Sequence, residues 1–381
     1  MPKLDAKKNS MKILQLGKFY PITGGVEKVM FDIVEGMSER EDMCCDMLCA
    51  SPNKHKEIEQ INRAKIMCTP TWMKVFATMI SPKMIIQLRQ IKSDYDIIQI
   101  HHPDPMAALA LWLSGYKGNV ILHWHSDILK QKIALRFYKP LQDWLIKRAD
   151  IIVGTTPKYL EASPYLQDKS LKKICIPIGT DAIFYDAIKV KSLRNRYKGK
   201  KLIFSLGRLV EYKGYEYLVD AARYLPDDYL VLIGGSGPLK EYLKSQIVQN
   251  ALQEKVQLLG RIPNEDLPAY YSACDVYVMS SIWKTEAFGI VQIEAMSCGK
   301  PVVATKIPGS GVDWVNEDGV SGINVEPMNG KAIADAVMYI LSEEERYTKF
   351  SKGAKERYER LFRKETMIDK FGSLYKSLMN S

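Results

Sequence analysis

The sequence contains no apolar run that approaches the roughly 18 residues needed to span a bilayer. The first ten residues carry basic side chains but no apolar core behind them, which argues against a secretory signal peptide. We therefore predict that residues 1–10 form a flexible tail, that the folded part starts at Met11, and that the protein is cytoplasmic.

Regular cysteine motifs are also absent. The seven cysteines are odd in number, and no two of them have CxxC spacing. Disulfide scaffolds and structural zinc sites both depend on regular cysteine spacing, so neither is expected. Most of the cysteines lie in apolar segments, which predicts buried free thiols in a reducing compartment.

Positive charge is in excess and is unevenly distributed, with a formal net charge of +10. Up to Asp181 the chain has 26 basic and 19 acidic residues, and the remainder has 28 and 25. Such a surface suits a phosphorylated substrate, anionic lipid or nucleic acid, or serves solubility alone. The chain lacks a basic motif interleaved with aromatic residues of the kind that binds single strands, so we expect no nucleic-acid partner.

Two segments of the first half, 72–89 and 136–148, combine apolar, aromatic and basic residues. A helix of this composition can lie on an anionic lipid surface, which makes the inner face of the plasma membrane a candidate location. The alternative is that the apolar stripe of each segment faces the protein core.

Short apolar runs alternate with helical patterns along the whole chain. This alternation indicates parallel, doubly wound sheets whose strands are buried on both faces. The predicted strands are 12–16, 44–50, 65–68, 97–100, 120–124, 151–154, 173–176, 201–205, 229–233, 256–259, 276–279, 301–304 and 322–325. The predicted helices are 26–38, 83–92, 105–113, 133–148, 215–224, 238–249, 264–274, 290–298, 330–341 and 366–378.

The fold class is therefore α/β, with two Rossmann-like domains of doubly wound parallel sheet that face each other across a cleft. The basic stretch 189–201 separates the halves and places the domains at 11–187 and 188–362. Residues 363–381 are predicted to form a helix that packs back on the first domain. Ligands of open α/β sheets bind at the carboxyl ends of the strands, so motifs that follow strands are the candidate site.

The most informative motif is the stretch 281–305, SIWKTEAFGIVQIEAMSCGKPVVAT. Its carboxylates Glu286 and Glu294 flank a loop that leads into a helix. A helix N-terminus offers free backbone N–H groups to an anion, and carboxylates accept hydrogen bonds from hydroxyls. A ligand with both hydroxyls and phosphates, such as a sugar nucleotide, fits this combination.

Cations and glycines follow two other strands. Arg208 and Lys213 come directly after strand 201–205, where two fixed cations suit a diphosphate. Gly24 and Gly25 open the first helix, where they allow an anion or a sugar to approach the backbone, although a plain tight turn is the more common reason for such a pair. The cluster GGSG at 234–237 is a weaker signal of the same kind.

Histidines end two strands of the first half. The motif LHWHSD places His123, His125 and Asp127 at the end of strand 120–124, and His101 ends strand 97–100. The pair His123 and His125 could bind a metal, but the sequence shows no third ligand at a suitable spacing, so we predict no metal site.

These motifs together resemble the retaining glycosyltransferases of family 4, which have the GT-B fold. The resemblance rests on GGVE at 24–27, HSD at 125–127, GRLVEYKG at 207–214 and EAFGIVQIEAM at 286–296. It extends from Met11 to about residue 362, and the last motif is the most specific.

The resemblance implies an acceptor domain at 11–187 and a nucleotide-sugar domain at 188–362. The implied catalytic residues are His125, Arg208, Lys213 and Glu286. The implied donor-binding residues are Gly25, Arg208, Lys213, Arg261, Ile262, Glu286, Ala287, Phe288, Gly289, Ile290 and Glu294. The implied acceptor residues are Glu27, His101 and Asp127.

In this assignment Glu286 lies near the donor hexose and Glu294 binds the ribose. Arg208 and Lys213 neutralise the diphosphate, so no metal or other cofactor is expected, and His125 lies beside the transferred sugar. The implied donor is a UDP-sugar, with GDP as the second choice. The implied acceptor is a glycan or lipid-linked glycan in polysaccharide or lipopolysaccharide O-antigen biosynthesis, and an anionic membrane is a further candidate partner.

Two alternative functions stay open at this point. A sugar-nucleotide epimerase could share the two-domain architecture and would change the donor without an acceptor. A non-enzymatic carbohydrate-binding protein would bind no nucleotide.

Overall fold

The computed structural model describes residues 10–22, 24–51, 57–75, 78–128 and 132–380. The chain divides into two compact units, the first made of Met1–Ile178 with Lys364–Ser381 and the second of Gly179–Arg363. The division after Ile178 lies nine residues before the boundary at 187/188 that the basic stretch suggested.

The first unit is built on a sheet with the strand order β10-β9-β8-β7-β1-β2-β4-β3. Its strands, together with the separate hairpin β5–β6, are β1 (Met11–Phe19), β2 (Met43–Ser51), β3 (Glu57–Ile61), β4 (Ala64–Pro70), β5 (Met73–Val75), β6 (Thr78–Ile80), β7 (Ile97–His102), β8 (Asn119–Trp124), β9 (Ile151–Gly154) and β10 (Lys173–Cys175). Within the sheet, neighbouring strands are parallel except β3 and β4. Every strand predicted in this half is present, whereas the peripheral strands β3, β5 and β6 were not predicted.

The helices of the first unit connect these strands. They are α1 (Gly25–Ser38), α2 (Pro82–Ile91), α3 (Pro105–Ser114), α4 (Lys132–Arg148) and α5 (Pro157–Ala162). Helix α3 shows why the chain turns helical after β7, because the Asp104 side chain accepts a hydrogen bond of 3.0 Å from the Ala107 N–H and Pro105 occupies the first turn. Thr156 caps α5, which was not predicted, in the same way.

The second unit has a parallel sheet with the strand order β13-β12-β11-β14-β15-β16. Its strands are β11 (Lys201–Leu206), β12 (Tyr229–Gly234), β13 (Val256–Gly260), β14 (Val276–Met279), β15 (Val302–Thr305) and β16 (Gly322–Val325). Its helices are α6 (Ala187–Arg196), α7 (Tyr215–Ala221), α8 (Lys240–Gln249), α9 (Leu267–Ala273), α10 (Ile290–Ser297), α11 (Val312–Val315), α12 (Gly330–Leu341) and α13 (Glu344–Leu361). All six strands that the sequence predicted in this half are present.

The basic stretch 189–201 is not a linker, which corrects the sequence-based interpretation. Helix α6 occupies most of it and packs Leu193 against Ala269 and Ala273 of α9. The Arg194 guanidinium also forms an ion pair of 2.6 Å with Asp275, so charge and packing both tie α6 to the second unit. Its positive charges lie around one buried leucine, a pattern that resembles a solvated linker when the sequence is considered alone.

The last helix, α14 (Lys364–Met379), belongs to the first unit. Phe371 and Tyr375 are fully buried there, and Lys364 and Lys376 form ion pairs of 2.5 and 2.6 Å with Glu35 and Asp42. This is the helix that the sequence predicts at 366–378. In the part of the chain that the structure describes, no helix combines the length and apolar character required to cross a bilayer.

In each sheet the chain order reverses beside the first strand of that unit. Strand β1 lies between β2 and β7, and β11 lies between β12 and β14. The connections that leave these strands diverge to opposite sides, and such a switch point leaves a crevice at the carboxyl ends of the strands. Each unit therefore has one topologically favoured place for a ligand.

Candidate functional site

The switch point of the second unit brings together two of the predicted motifs. Residues 207–214 follow β11, and the loop that contains Glu286 follows β14. The two connections are joined directly, since the Ser280 hydroxyl donates to the Lys213 carbonyl over 2.9 Å and the Ile282 N–H donates to the Tyr212 carbonyl over 2.8 Å. Two motifs that lie more than 70 residues apart in sequence thus form one surface.

Lys213 and Glu286 form an ion pair at the centre of this surface. The distance from Lys213 Nζ to Glu286 Oε2 is 2.5 Å, and the side chains are only 13% and 12% exposed. The Ser281 hydroxyl donates to the same carboxylate oxygen over 3.1 Å. A largely buried, hydrogen-bonded ion pair holds both groups in a fixed position.

The electrostatics of Lys213 favour a permanent charge. Burial is the largest influence and by itself would lower the pKa of Lys213, but Glu286, with Tyr215 and Tyr212, outweighs it and raises the pKa above the ordinary value. Arg208, in contrast, is exposed and makes no side-chain hydrogen bond or ion pair with any residue that the structure describes. The site therefore offers one fixed cation and one cation that is free to reach a ligand.

The loop from Glu286 to Gly289 is shaped for the start of α10. Gly289 has a φ of 78°, a left-handed backbone that favours glycine, and a Cβ atom there would displace the end of the Met279 side chain. The Ser310 hydroxyl donates to the Glu286 carbonyl, and the Gly311 N–H donates to the Ala287 carbonyl over 3.0 Å. These contacts fix the backbone of the loop that leads from Glu286 into α10.

Glu294 lies further along α10 and is held by a residue that the sequence did not indicate. The Tyr271 hydroxyl on α9 donates to Glu294 Oε2 over 2.5 Å. Burial of Tyr271, with the nearby Glu294 carboxylate, raises the pKa of the phenol well above its usual value, so it stays a donor. No local motif marks Tyr271, because its partner is 23 residues away in sequence.

The remaining predicted donor residues occupy different places around the same sheet. Ala287 and Phe288 are buried, and Ile290 begins α10. Arg261 and Ile262 follow β13, which is two strands away from β11. Arg261 is exposed, and a Cβ atom on Gly234 would lie 2.6 Å from the Ile262 Cδ1 atom, so Ile262 covers the end of β12.

The glycine cluster 234–237 has a packing role. A Cβ atom on Gly235 would lie 1.8 Å from the Gly207 carbonyl oxygen, and the Leu209 N–H donates to the Ser236 carbonyl over 2.9 Å. The cluster lets one connection pack against the backbone of the connection that carries Arg208. This close packing explains why glycines occur here, and no ligand is needed to explain them.

The switch point of the first unit has a different character. Strand β1 is irregular near its end at Lys18, whose N–H donates to Asp104 Oδ2 over 2.5 Å and whose Nζ donates to the Pro103 carbonyl over 2.5 Å. Gly25 is exposed at the start of α1, whereas Glu27 in the first turn is buried. The carboxylate of Glu27, a predicted acceptor residue, is therefore shielded from bulk water.

Three histidines stack behind this switch point. Strands β7 and β8 pair with His101 opposite His123, and the His101 ring is stacked on the His125 ring at 5.2 Å. Burial lowers the pKa of His123 to about 3 and lowers the pKa of His101 and His125 well below their ordinary value. The cluster is therefore neutral at physiological pH.

His101 is the third potential metal ligand that sequence spacing did not reveal, because it arrives through strand pairing. The ligand atoms of the three rings lie within 4.8 Å of one another. Both nitrogens of His101 are already hydrogen bonded, Nε2 to Gln15 Oε1 at 2.8 Å and Nδ1 to His125 Nε2 at 2.9 Å. The hydrogen bonds explain why the three rings lie together without a metal ion. That the protein binds no metal stays a prediction.

A hydrogen-bond chain links this stack to α14. The Gln15 Nε2 group donates to the Tyr375 hydroxyl over 3.0 Å, and that hydroxyl donates to Gln99 Oε1 over 2.7 Å. Gln99 Nε2 then lies 3.3 Å from His123 Nδ1. Tyr375 thus fixes the orientation of both glutamine side chains.

The direction of this chain sets the histidine tautomers. Gln15 presents its acceptor oxygen, so the Nε2 atom of neutral His101 carries the proton and its Nδ1 atom accepts. His125 must then donate from Nε2, which leaves His125 Nδ1 without a proton. The predicted catalytic histidine is therefore held as an acceptor.

Asp127, a predicted acceptor residue, is 5% exposed and accepts hydrogen bonds at Oδ1 from Trp124 Nε1 and the Ser163 hydroxyl at 3.0 and 2.7 Å. Its N–H donates to the Tyr159 hydroxyl over 2.8 Å. These contacts give Asp127 a structural role in shaping the turn after β8, and contact with an acceptor stays a prediction.

Comparison with known proteins identifies the family. Residues 188–357 match the family described as Glycosyl transferases group 1, and residues 23–162 match Glycosyltransferase Family 4. The chain is a family 4 glycosyltransferase. Its two units have the GT-B fold, and the sucrose-phosphate synthase of Thermosynechococcus elongatus superimposes with a TM-score of 0.79 at 21% identity, over 97% of this chain and 99% of that one.

Two curated relatives of this glycosyltransferase match it over nearly their whole length. The O-antigen chain mannosyltransferase C of Escherichia coli is 29% identical over 97% of this chain and 100% of its own length. The D-rhamnosyltransferase WbpZ of Pseudomonas aeruginosa is 28% identical over 92% of each chain.

Proposed function

We propose that this glycosyltransferase moves a hexose of manno configuration from a nucleoside diphosphate sugar to a hydroxyl group of a glycan acceptor, with retention of the anomeric configuration. The buried Lys213–Glu286 ion pair at the switch point of the second unit is the observation that carries the proposal. The two relatives named for mannosyl and rhamnosyl transfer support the choice of sugar, since D-rhamnose is 6-deoxymannose.

The reaction breaks the bond between C1 of the hexose and the terminal phosphate oxygen of the donor. The acceptor oxygen forms the new bond to C1, and its proton passes to the departing diphosphate, so no protein base is consumed. Negative charge grows on the diphosphate in the transition state. A preorganised cation at that position lowers the barrier because it needs no rearrangement as the charge develops.

Different side chains of the second unit contact different parts of the donor in this proposal. Lys213 is already oriented by Glu286, and Arg208 is exposed and able to bind the diphosphate through two N–H groups. With two cations in place, the reaction requires no resident metal. We assign to Glu286 the hydrogen bonds from the donor hexose, and to Glu294, whose carboxylate is held by Tyr271, those from the ribose hydroxyls.

On the first unit, His125 supplies an unprotonated Nδ1 atom. We assign to it a hydrogen bond from a hydroxyl of the transferred sugar and electrostatic support for the positive charge that develops at C1. A protonated imidazole would oppose that charge, and the burial that lowers the pKa of His125 prevents it.

In this proposal the acceptor is an intermediate of polysaccharide or O-antigen biosynthesis, and we expect it to be a lipid-linked glycan. Surface composition supports contact with an anionic membrane. Trp72 and Phe137 are 77% and 82% exposed in the two basic, aromatic segments, whereas Leu145 of the second segment is fully buried. Segment 136–148 therefore fits both the core-packing and the membrane-contact interpretation. One of its faces packs in the protein core, and the exposed Phe137 side chain can contact lipid.

A donor screen tests the proposal. We expect GDP-mannose, GDP-rhamnose or a UDP-hexose to raise the melting temperature and to be hydrolysed slowly without acceptor, with retained configuration at C1 by NMR. The screen decides between UDP, which the sequence favoured, and GDP. Conversion of the donor into an epimer would establish the epimerase alternative, and absence of nucleotide binding would leave a carbohydrate-binding protein.

A further inference from the structure

A cavity of about 550 Å³ lies in the first unit at the carboxyl ends of β1 and β7. Its volume is within the range of roughly 300–1,000 Å³ that small-molecule sites occupy. Most of its wall is aliphatic or sulfur-containing, with Met79, Ile80, Met84, Met106, Leu109 and Leu141 as the main contributors. The cavity is separate from the histidine stack, because none of the three stacked rings lines it.

Its charged groups are few and lie where the sheet ends. Lys18, Glu27 and Asp104 line the cavity, and Lys18 and Asp104 are joined by a hydrogen bond of 2.5 Å between the Lys18 N–H and Asp104 Oδ2. Glu27 is buried, and its carboxylate provides the acceptor atoms at this end. One end of the cavity can therefore contact a hydroxyl, while most of the remaining wall, apart from Thr78 and Tyr138, offers hydrocarbon.

The wall is poorly suited to a sugar. Sugars are bound through many hydrogen bonds, and burying their hydroxyls against aliphatic side chains without partners is costly. Away from the charged end, only the hydroxyls of Thr78 and Tyr138 could meet such a ligand, and the Tyr138 hydroxyl has no hydrogen-bond partner among the described residues. Methionines in such a wall adapt to chains of variable shape because their side chains are flexible and polarizable.

We propose that this cavity binds the hydrocarbon chain of a lipid-phosphate-linked acceptor. The inference rests on the proposed function and specifies its acceptor. Phe137 and Val75, which line the cavity, are 82% and 39% exposed, so an apolar path leads from the surface inward. Basic residues beside that path, Lys74 and Arg136, are exposed and complement a lipid phosphate.

The test uses octyl, decyl and dodecyl phosphate as probes, each below its micelle concentration, with binding measured by calorimetry. Each additional CH₂ group that enters the cavity should tighten binding by up to about fourfold. Leu109→Trp fills the cavity and should abolish this dependence on chain length. Ile86→Trp is the matched control, because Ile86 is 55% exposed on α2 and does not line the cavity, and it should bind as the wild type does.

A second variant, Met79→Trp, narrows the cavity from the hairpin and keeps the test decisive if Leu109→Trp does not fold. Affinity that is independent of chain length, or equal chain-length dependence in both cavity variants and the control, would overturn the proposal. Donor-induced thermal stabilisation is measured on every variant. If the donor does not stabilise the wild type, the proposed function is contradicted. If the donor stabilises the wild type but the alkyl phosphates do not bind, only the proposal for the cavity is contradicted.

Discussion

The two switch points of this glycosyltransferase have the same topology but differ in chemistry. In the second unit the crevice holds a buried charged pair, Lys213 and Glu286, with the exposed Arg208 nearby. In the first unit the corresponding place holds a largely apolar cavity with Lys18, Glu27 and Asp104 at one end, in front of the neutral stacked histidines. The contrast indicates that a doubly wound sheet provides the crevice, while the loops after its strands decide whether charged or apolar side chains line it.

The largest expected effect comes from removing the charge of the second unit. Lys213→Ala should lower kcat by about 10²–10³-fold, because a fixed cation no longer faces the developing diphosphate charge. It should also cost about 3 kcal/mol of stability, since it leaves the Glu286 carboxylate buried without its partner. Steady-state kinetics and urea unfolding measure the two effects.

Lys331→Ala serves as the control for this substitution. Lys331 is 62% exposed and paired with Asp335 on α12, so its loss should change neither quantity measurably. A kcat of Lys213→Ala within twofold of the control would remove Lys213 from the catalytic site.

The next largest effect is expected at low pH, which should destabilise the first unit more than the second. All five histidines precede residue 126, and burial lowers the pKa of both His102 and His123 to about 3. Their folded pKa lies below the unfolded value, so the stability they contribute is present above about pH 6.5 and is lost as the pH falls toward 3. At pH 5.5 these two residues should together cost the first unit about 2–3 kcal/mol.

Hydrogen exchange at pH 7.0 and 5.5, corrected for intrinsic rates and resolved by mass spectrometry, checks this expectation. Protection should fall in β7 and β8 and stay nearly constant in β11 and β14. Equal loss of protection in both units would show that the histidines are not responsible.

A smaller effect is expected at the ribose position. Glu294→Ala should weaken nucleoside diphosphate binding by about tenfold, and Tyr271→Phe by about fivefold, because the second change removes only the hydrogen bond that orients the carboxylate. Isothermal titration calorimetry with UDP and GDP measures both. Unchanged affinity in Glu294→Ala would exclude the ribose role.

The smallest effect concerns Tyr375, which acts through the glutamines and not on the substrate. Tyr375→Phe should lower kcat by about fivefold with little change in KM for the donor, because His125 loses its fixed tautomer. Nitrogen-15 NMR of the histidine rings provides the readout that a purely structural role would not move. An unchanged His125 tautomer in the variant would disprove the connection.

The sequence predicted the parallel strands of both units because each is a short apolar run buried on both faces. It did not predict β3 or the hairpin β5–β6, whose residues are few and partly exposed, nor α6, whose single buried leucine is surrounded by basic residues. In the site, Lys213 and Glu286 were found through local motifs. Their contact, the third histidine and Tyr271 depend on which strands and helices become neighbours, which local patterns do not encode.

The central claim is that the second unit recognises the diphosphate through Lys213. The most direct measurement compares the affinities of the nucleoside monophosphate and diphosphate of the preferred base, by calorimetry, in the wild type and in Lys213→Ala. We expect the wild type to bind the diphosphate at least about tenfold more tightly than the monophosphate, and the variant to lose most of that preference. The same preference in both proteins would contradict the account.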